Sequence, residues 1–273
     1  MAFDGGAFFH TIPKAIWEKK VEVSEKNMIT AALNALYLEK DGKKILIEAG
    51  AGNKFSAKHR AIFHRSTALP LLDELTQIGV GREEIDYVIL SHLHRDHAGT
   101  LTHYVYDTDT DSEPAVHISF PNAQHYAHSA EWDYACGGNE LSSASYNTLD
   151  FLPVHEAGRL TLIQEEESEP LRGIRIRKTA AHTLGHTCII IENDGKKVLF
   201  PSDILPTRHH LAIHWACSYD YCSYQVVEEK RKLMDMAVQE QMLVYLVHEN
   251  DHPLGTIQRG DGSEYIWVPQ DMS

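Results

Sequence analysis

The stretch SHLHRDH, residues 91–97, places three imidazoles and one carboxylate within six positions, directly after an apolar run at residues 85–90. An apolar run that ends in such a cluster is typical of a buried strand that delivers metal ligands into the loop at its end. One ion cannot easily use all four groups of so short a loop, whereas two adjacent ions can. Two ions in one pocket are typical of hydrolytic chemistry, so the stretch predicts a dinuclear hydrolase centre.

Three more polar groups follow the ends of predicted strands further along the chain. His182 follows the run at 174–178, Asp203 follows the run at 198–200, and His248 follows the run at 243–247. Active groups collect beyond the carboxyl ends of strands in open α/β sheets, so we expect these groups to converge with the first cluster. The predicted metal ligands are therefore His92, His94, Asp96, His97, His182, Asp203 and His248.

Imidazole and carboxylate ligands suit borderline divalent metals, so we expect two Zn²⁺ ions, with Fe, Mn or Co as alternatives. Asp203 can lend one oxygen to each ion. One ion would take His92, His94, His182 and Asp203, and the other would take Asp96, His97, His248 and Asp203. For His186 the sequence leaves two alternatives open, a partner that orients a ligand and simple packing.

The bulk composition excludes several classes of protein. The chain has 273 residues, enough for one large domain or two small ones, and a formal net charge of -14, which disfavours nucleic acid as a partner. We expect no membrane association, because no apolar stretch is long enough to span a bilayer and residues 1–20 do not resemble a signal peptide. The four cysteines form no C-x-x-C pair, which favours a cytoplasmic location.

The order of apolar patterns predicts an α/β domain. We expect strands at 31–38, 44–47, 87–90, 116–119, 160–163, 174–178, 188–191, 198–200 and 243–247. The pairs Asp41-Gly42 and Asp194-Gly195 are hairpin turn signals. Helices are predicted around 69–78, 122–135 and 227–242, and the segments 106–114, 137–147 and 164–170 are predicted to be loops.

At the ligand residues the chain resembles the metallo-β-lactamase superfamily over nearly its whole length. The superfamily's first signature is similar to residues 92–97, its third-motif histidine to His182, its bridging aspartate to Asp203 and its last histidine to His248. The resemblance implies a four-layer αββα sandwich that forms a single domain over residues 1–273.

Within the superfamily the chain is similar to quorum-quenching lactonases of the YtnP type. The resemblance lies in residues 4–9, in Pro13, Lys14 and Trp17, and in residues 203–207 with the His-rich stretch that follows. It implies that the chain opens the lactone ring of N-acyl-homoserine lactones. Methyl parathion hydrolases are similar relatives, so phosphotriester or general carboxylester hydrolysis is the alternative reaction. An inactive ligand-binding protein of the same fold is the alternative outside enzymes.

The chain departs from better-studied lactonases at one position. Those enzymes place a tyrosine three residues after the bridging aspartate, where this chain has Pro206. His209, His210 or His214 is the candidate replacement, and we expect His210 to be catalytic. The absence of an aspartate bridge in class B β-lactamases disfavours an antibiotic substrate, and the tail after His248 is too short for the glutathione-binding region of glyoxalase II.

The expected mechanism uses the metals as a source of hydroxide. Two adjacent ions lower the pKa of a shared water toward about 7, and the bridging hydroxide then attacks the ester carbonyl. Asp96 is expected either to act only as a ligand or also to carry the proton to the leaving oxygen. Phe8, Phe9, His209 and His214 are the predicted substrate-binding residues, and the N-terminal arm, residues 1–25, is expected to contribute to the substrate pocket or to a homodimer contact.

Overall fold

A computed structural model describes residues 1–106, 114–138, 140–262 and 264–271 of the chain. The chain forms two compact units. The central unit is Ala35–Gln164, and the terminal unit combines Met1–Asn34 with Glu165–Ser273. Among the described residues, no helix is both long enough and apolar enough to cross a bilayer.

Strands and helices alternate along the described residues, which confirms the predicted α/β class. The strands are β1 (Ala2–Asp4), β2 (Met28–Thr30), β3 (Leu36–Lys40), β4 (Lys43–Ile47), β5 (Tyr87–Ile89), β6 (Thr102–Val105), β7 (Ala115–Ile118), β8 (Gln124–His128), β9 (Leu160–Ile163), β10 (Glu167–Leu171), β11 (Ile174–Lys178), β12 (Thr187–Asn193), β13 (Lys196–Phe200), β14 (Leu243–Tyr245), β15 (Leu254–Arg259) and β16 (Tyr265–Pro269). The α-helices are α1 (Gly5–Phe9), α2 (Lys14–Trp17), α3 (Ala57–Phe63), α4 (Pro70–Gln77), α5 (Arg95–Ala98), α6 (Ser129–Cys136), α7 (Leu152–Glu156) and α8 (Ser223–Gln239).

The central unit contains a five-stranded sheet in the order β3-β4-β5-β8-β9. Strand β3 is antiparallel to β4, whereas β4, β5, β8 and β9 run parallel to one another. Parallel strands place their carboxyl ends at one edge of the sheet. Glu48, which follows β4, and the loop that follows β5 therefore meet at that edge.

The terminal unit contains a seven-stranded sheet in the order β10 to β16. Neighbouring strands are antiparallel except β13 and β14, which are parallel and pair Val198 with Leu243. The long helix α8 supplies the crossover that a parallel pair requires, and its buried side chains include Val226, Leu233 and Met234. The carboxyl ends of β13 and β14 consequently lie side by side.

The N-terminal arm of the terminal unit is built around an aromatic cluster. Phe9 is fully buried and stacks on Trp17, with ring centroids 5.2 Å apart, and on His210, with centroids 5.5 Å apart. Trp215 meets Phe9 edge-on at 5.4 Å. The arm is thus packed into its own unit by rings that belong to both chain segments of that unit.

Most predicted strands are confirmed, with small shifts at their ends. Strand β11 has the predicted bounds, and both hairpin turns form, with positive φ at Asp41 and Asp194. The strand predicted at 31–38 is wrong before residue 36, and β10 occupies most of the loop predicted at 164–170. Most of the acidic loop predicted at 106–114 lies outside the described residues.

The helix predicted at 122–135 is wrong in its first half. Residues Gln124–His128 form β8, which lies between β5 and β9, and the helix begins only at Ser129. The alternation of side chains in β8 buries His125 and Ala127. The pairing of β8 between two parallel strands therefore decides its conformation, because strand propensity depends strongly on the neighbouring strands.

Candidate metal-ligand clusters

The first cluster lies in the central unit, in the loop that leads from β5 into α5. His92 Nε2 lies 3.0 Å from His94 Nδ1, and the rings of His92 and His97 have centroids 4.0 Å apart. The Asp96 carboxylate lies 3.7 Å from His97 Nε2. The three imidazoles are buried, and Asp96 is partly exposed. All four ligands predicted from residues 91–97 are thus brought together within this unit.

Glu48 belongs to the same cluster, although the sequence reasoning missed it. Its Oε1 lies 3.4 Å from His97 Nδ1, and one ligand atom from each of Glu48, His92 and His97 falls within 4.8 Å of the others. The residue is only 1 % exposed. The signal that could have found it is its place directly after β4, because β4 runs parallel to β5 and ends at the same edge.

A second buried carboxylate, that of Glu131, also contacts the loop between β5 and α5. Glu131, fully buried in α6, accepts hydrogen bonds from the Leu93 amide at 3.0 Å and from the Tyr146 hydroxyl at 2.9 Å. The Tyr146 ring packs against His94 with centroids 4.7 Å apart. Glu131 therefore holds the loop backbone at Leu93 and the Tyr146 ring that packs against His94.

The second cluster lies in the terminal unit and is built around Asp203. The two carboxylate oxygens face different imidazoles: Oδ2 lies 3.2 Å from His182 Nε2, and Oδ1 lies 3.2 Å from His248 Nε2. The loops after β13 and β14 are joined by a hydrogen bond from the His248 amide to the Pro206 carbonyl at 3.0 Å. The parallel pairing of these strands brings Asp203 and His248 together, as predicted.

The other ring nitrogens of both histidines have partners that orient the rings. His248 Nδ1 lies 2.8 Å from the Ala32 carbonyl, and His182 Nδ1 lies 2.7 Å from Asp220 Oδ1. Asp220 also accepts a hydrogen bond from the Cys217 amide at 2.8 Å. Sequence reasoning missed Asp220 because no local pattern links it to a residue 38 positions earlier.

Backbone strain accompanies the ligand loops. Glu48, Ala180 and Ser202 have φ values of 66°, 49° and 47°, in the left-handed region that side chains other than glycine rarely adopt. Each of them is a ligand candidate or lies within two residues of one. Such strain persists only where the surrounding structure holds it in place, and it concentrates at functional sites.

The donor atoms fit divalent metal ions. Both clusters combine neutral-pH imidazole ligands with buried carboxylates, which is the chemistry that Zn²⁺ prefers. Burying Glu48 and Asp203 among imidazoles is costly unless a cation neutralises their charge. In addition, the two oxygens of Asp203 are presented separately, as a bridging carboxylate requires.

His210 lies in the aromatic cluster. Its ring is 1 % exposed, with Nδ1 2.8 Å from the Thr207 hydroxyl and Nε2 3.2 Å from the Phe8 carbonyl. Burial is the main cause that lowers the pKa of His210 to about 3, so the ring is neutral at physiological pH. These contacts give the ring a packing role, and its predicted catalytic role stays a prediction.

The predicted substrate-binding residues are placed differently from one another. Phe8 and Phe9 are buried in the arm, where Phe8 meets the His248 ring edge-on at 6.0 Å. His209 is half-buried, and burial lowers its pKa to about 4, whereas His214 is exposed. The position of a side chain does not by itself show contact with substrate. The substrate-binding roles of Phe8, Phe9, His209 and His214 therefore stay predictions.

His186 lies on the strand side of the His182 loop. Its Nδ1 is 2.7 Å from the Thr179 hydroxyl, and its backbone accepts from the same hydroxyl at 3.0 Å. The rings of His182 and His186 have centroids 5.6 Å apart. His186 therefore closes the loop that carries His182.

Comparison with known proteins gives consistent matches. A family model described as the Metallo-beta-lactamase superfamily matches residues 32–239. Among solved structures, a probable metal-dependent hydrolase from Staphylococcus aureus is 26 % identical with a TM-score of 0.86, covering 100 % of this chain and 94 % of that one.

Two lactonase structures are also similar in fold. AidC, described as a dizinc quorum-quenching lactonase, is 19 % identical with a TM-score of 0.75, covering 100 % of this chain and 92 % of its own. An N-acyl homoserine lactone hydrolase, with its product at the catalytic metal centre, is 17 % identical with a TM-score of 0.64, covering 92 % of this chain and 90 % of its own. The predicted fold class is thereby confirmed.

Proposed function

Because the chain belongs to the metallo-β-lactamase superfamily and is a metal-dependent hydrolase, we propose that it opens the ester bond of lactones, with N-acyl-homoserine lactones as the leading substrates. The observation that carries the proposal is the Asp203 carboxylate, which offers one oxygen toward each of two imidazoles. A single ion needs only one such oxygen. The arrangement therefore supports a centre with two ions.

We assign the ligands as the sequence predicts. The residues that would hold the metal are His92, His94, Asp96 and His97 of the central unit and His182, Asp203 and His248 of the terminal unit. Zn²⁺ is the proposed metal, with Fe, Mn or Co as alternatives that suit the same donors. When bound, such ions supply Lewis acidity that activates water and polarises a carbonyl.

The chain's own residues supply orientation and proton transfer. Asp96 is the most exposed of the candidate ligands in its loop, with its side chain 16 % exposed, so solvent reaches a carboxylate that could accept a proton from the attacking water. The same carboxyl can return that proton to the alkoxide that leaves when the ring opens. Glu48 and Glu131 hold the ligand loop in place during these steps.

The choice of lactones rests on the solved lactonases and on charge. Two structures that share this fold act on or contain N-acyl-homoserine compounds, as their descriptions state. A formal net charge of -14 disfavours polyanionic substrates and suits a neutral amphiphile. A small-molecule substrate is thus proposed in preference to nucleic acid.

The test combines metal analysis with a substrate series. We expect two equivalents of divalent metal per chain, and hydrolysis of acyl-homoserine lactones that is faster than hydrolysis of matched phosphotriesters and open-chain esters. His94→Ala should lower metal content and turnover together, by at least tenfold in turnover, because it removes a predicted ligand. The exposed His155 provides the control, since His155→Ala should leave both unchanged.

Two results would overturn the proposal. Full turnover by a demonstrably metal-free sample would remove the metal from the mechanism. Preference for the phosphotriesters across the whole series would keep the metal and replace the substrate class.

A further inference from the structure

Residues 217–222 are joined by hydrogen bonds to the loop that carries His182. The Tyr221 amide donates to the His182 carbonyl at 2.8 Å, and the Cys222 amide donates to the Ala181 carbonyl at 3.1 Å. Together with the carboxylate of Asp220, these bonds fix both the backbone and the ring of His182. We call residues 217–222 the clip.

The clip presents Asp220 in one orientation. The side chain is 1 % exposed, and its Oδ2 accepts from the Cys217 amide at 2.8 Å while Oδ1 faces His182 Nδ1 at 2.7 Å. The clip itself is anchored to the arm, because the Ser218 amide donates to the Ala7 carbonyl at 2.7 Å. The hydrogen bonds within the clip therefore hold the carboxylate in one orientation.

The contact between Asp220 and His182 decides which ring nitrogen can bind metal. An ionised carboxylate only accepts hydrogen bonds, so Nδ1 must carry the proton. The lone pair of the neutral ring then lies on Nε2, which is the nitrogen that faces Asp203 at 3.2 Å. A buried carboxylate on the far nitrogen also increases the ligand's basicity.

We propose that Asp220 is a positioning residue that sets the Nδ1–H tautomer of His182 and so prepares Nε2 to bind a metal ion. This inference rests on the proposed function, which makes His182 a ligand. His248 is set in the same way by the Ala32 carbonyl, but a carbonyl carries no formal charge. Of the two groups that orient these rings, the Asp220 carboxylate and the Ala32 carbonyl, only Asp220 is charged, and only Asp220 can be removed by a side-chain substitution.

The first measurement uses the wild-type protein loaded with zinc. Long-range proton–nitrogen NMR correlation of ¹⁵N-histidine-labelled protein should show His182 protonated at Nδ1 with a metal-shifted Nε2, the signal being assigned by its loss in His182→Gln. A proton on Nε2 would overturn the proposal. This measurement needs no variant to fold and no substrate to react.

The second measurement uses Asp220→Asn, which keeps the size of the side chain and removes its charge. We expect zinc affinity, measured by competition with a chromophoric chelator, to fall about 10- to 100-fold. The fraction of His182 protonated at Nδ1 should also fall. Asp220→Glu should partly restore both the zinc affinity and this fraction. Unchanged affinity with an unchanged tautomer would contradict the proposal.

Asp194→Asn is the matched control, because it removes the same charge from an exposed hairpin turn. It should bind zinc as the wild type does. Failure of the proposed function would appear instead as a wild-type protein that binds zinc with the predicted tautomer and opens no lactone. The two failures are therefore distinguishable.

Discussion

At the scale of single residues, the central unit contains a buried ion pair beside the ligand loop. Lys54 Nζ lies 2.9 Å from Asp150 Oδ1, and the two side chains are 1 % and 3 % exposed. Lys54 also donates to the carbonyls of Gly99 and Thr102, which follow α5. Burial lowers the pKa of Lys54 and raises that of Asp150 to about 6, against their mutual attraction. The pair pins the segment that follows the ligand helix.

Removing one partner of this pair should destabilise the protein strongly. Asp150→Asn leaves a buried ammonium group without its counter-charge, which costs about 3–5 kcal/mol in the free energy of unfolding. Urea unfolding followed by circular dichroism measures the loss. Glu166→Gln breaks the exposed contact with Lys178 and should cost about 1 kcal/mol at most.

The double variant Lys54→Met with Asp150→Leu separates charge from packing. Apolar replacements of similar volume commonly recover the stability of a buried pair. We expect the free energy of unfolding of the double variant to exceed that of Asp150→Asn by about 2 kcal/mol. A double variant that is less stable than the single one would show that the hydrogen bonds to Gly99 and Thr102 dominate.

At the scale of elements, the sequence predicts two alternative roles for the N-terminal arm: it forms part of the substrate pocket, or it forms a dimer contact. Its contacts provide a third, since Phe3 and Phe8 meet the His248 ring edge-on at 5.5 and 6.0 Å. Phe9 supports Phe8, because the two rings meet edge-on with centroids 5.3 Å apart. The arm therefore packs against a proposed metal ligand.

Phe9→Ala tests this packing role. Removing a fully buried ring should cost about 3–5 kcal/mol of unfolding free energy. The ratio of turnover on short and long acyl chains should stay within about twofold, because a ring that only supports its neighbours does not select substrate. A changed acyl preference with unchanged stability would instead make Phe9 a wall of the pocket. Tyr224→Ala, at a side chain 88 % exposed, is the control.

The elements also show how far the sequence predicts this fold and site. The alternating pattern of Ile174–Lys178 identifies its strand because burial and the two-residue period agree. No such pattern marks Gln124–His128, where the neighbouring parallel strands select the β conformation. Strands β15 and β16, which the sequence reasoning missed, have mostly half-exposed patterns.

The same limit applies to the site. The proximity of the candidate ligands in residues 91–97 is predictable because they are crowded into one short loop. Glu48 and Asp220 are not, because each acts through a contact with a distant segment, His97 for one and His182 for the other. A sequence motif records ligands, whereas the groups that orient the ligands depend on which strand ends and loops become neighbours.

At the scale of the whole molecule, buried histidines with lowered pKa values contribute to the response to acid. His125 is fully buried in β8, and burial lowers its pKa from 6.5 to about 4. Its Nδ1 lies 3.1 Å from the Arg159 carbonyl, and its Nε2 has no hydrogen-bond partner among the described residues. As the pH falls below about 6.5, the unfolded chain binds this proton before the folded chain does. The part of the folding stability that depends on this ring therefore declines as the pH falls below about 6.5 and levels off near pH 4.

We expect His125 to contribute at most about 3 kcal/mol to this decline, from the size of the pKa shift. His125→Asn keeps a donor for the Arg159 carbonyl and removes the titration, so its unfolding free energy should fall less steeply between pH 6.5 and 4. Urea unfolding at a series of pH values measures the slope. His155→Asn, at an exposed position, should keep the wild-type slope, and an unchanged slope in His125→Asn would contradict the assignment.

The discontinuous terminal unit has a consequence for biosynthesis. Phe3, Phe8, Phe9 and Trp17 leave the ribosome early, but Trp215, which completes their cluster, is made some two hundred residues later. At ordinary elongation rates the delay is on the order of ten seconds. During that time four large aromatic side chains have no partner from the later segment, so we expect chaperones to bind them on the nascent chain. Slow folding of this protein in cells lacking such chaperones would trace to the arm.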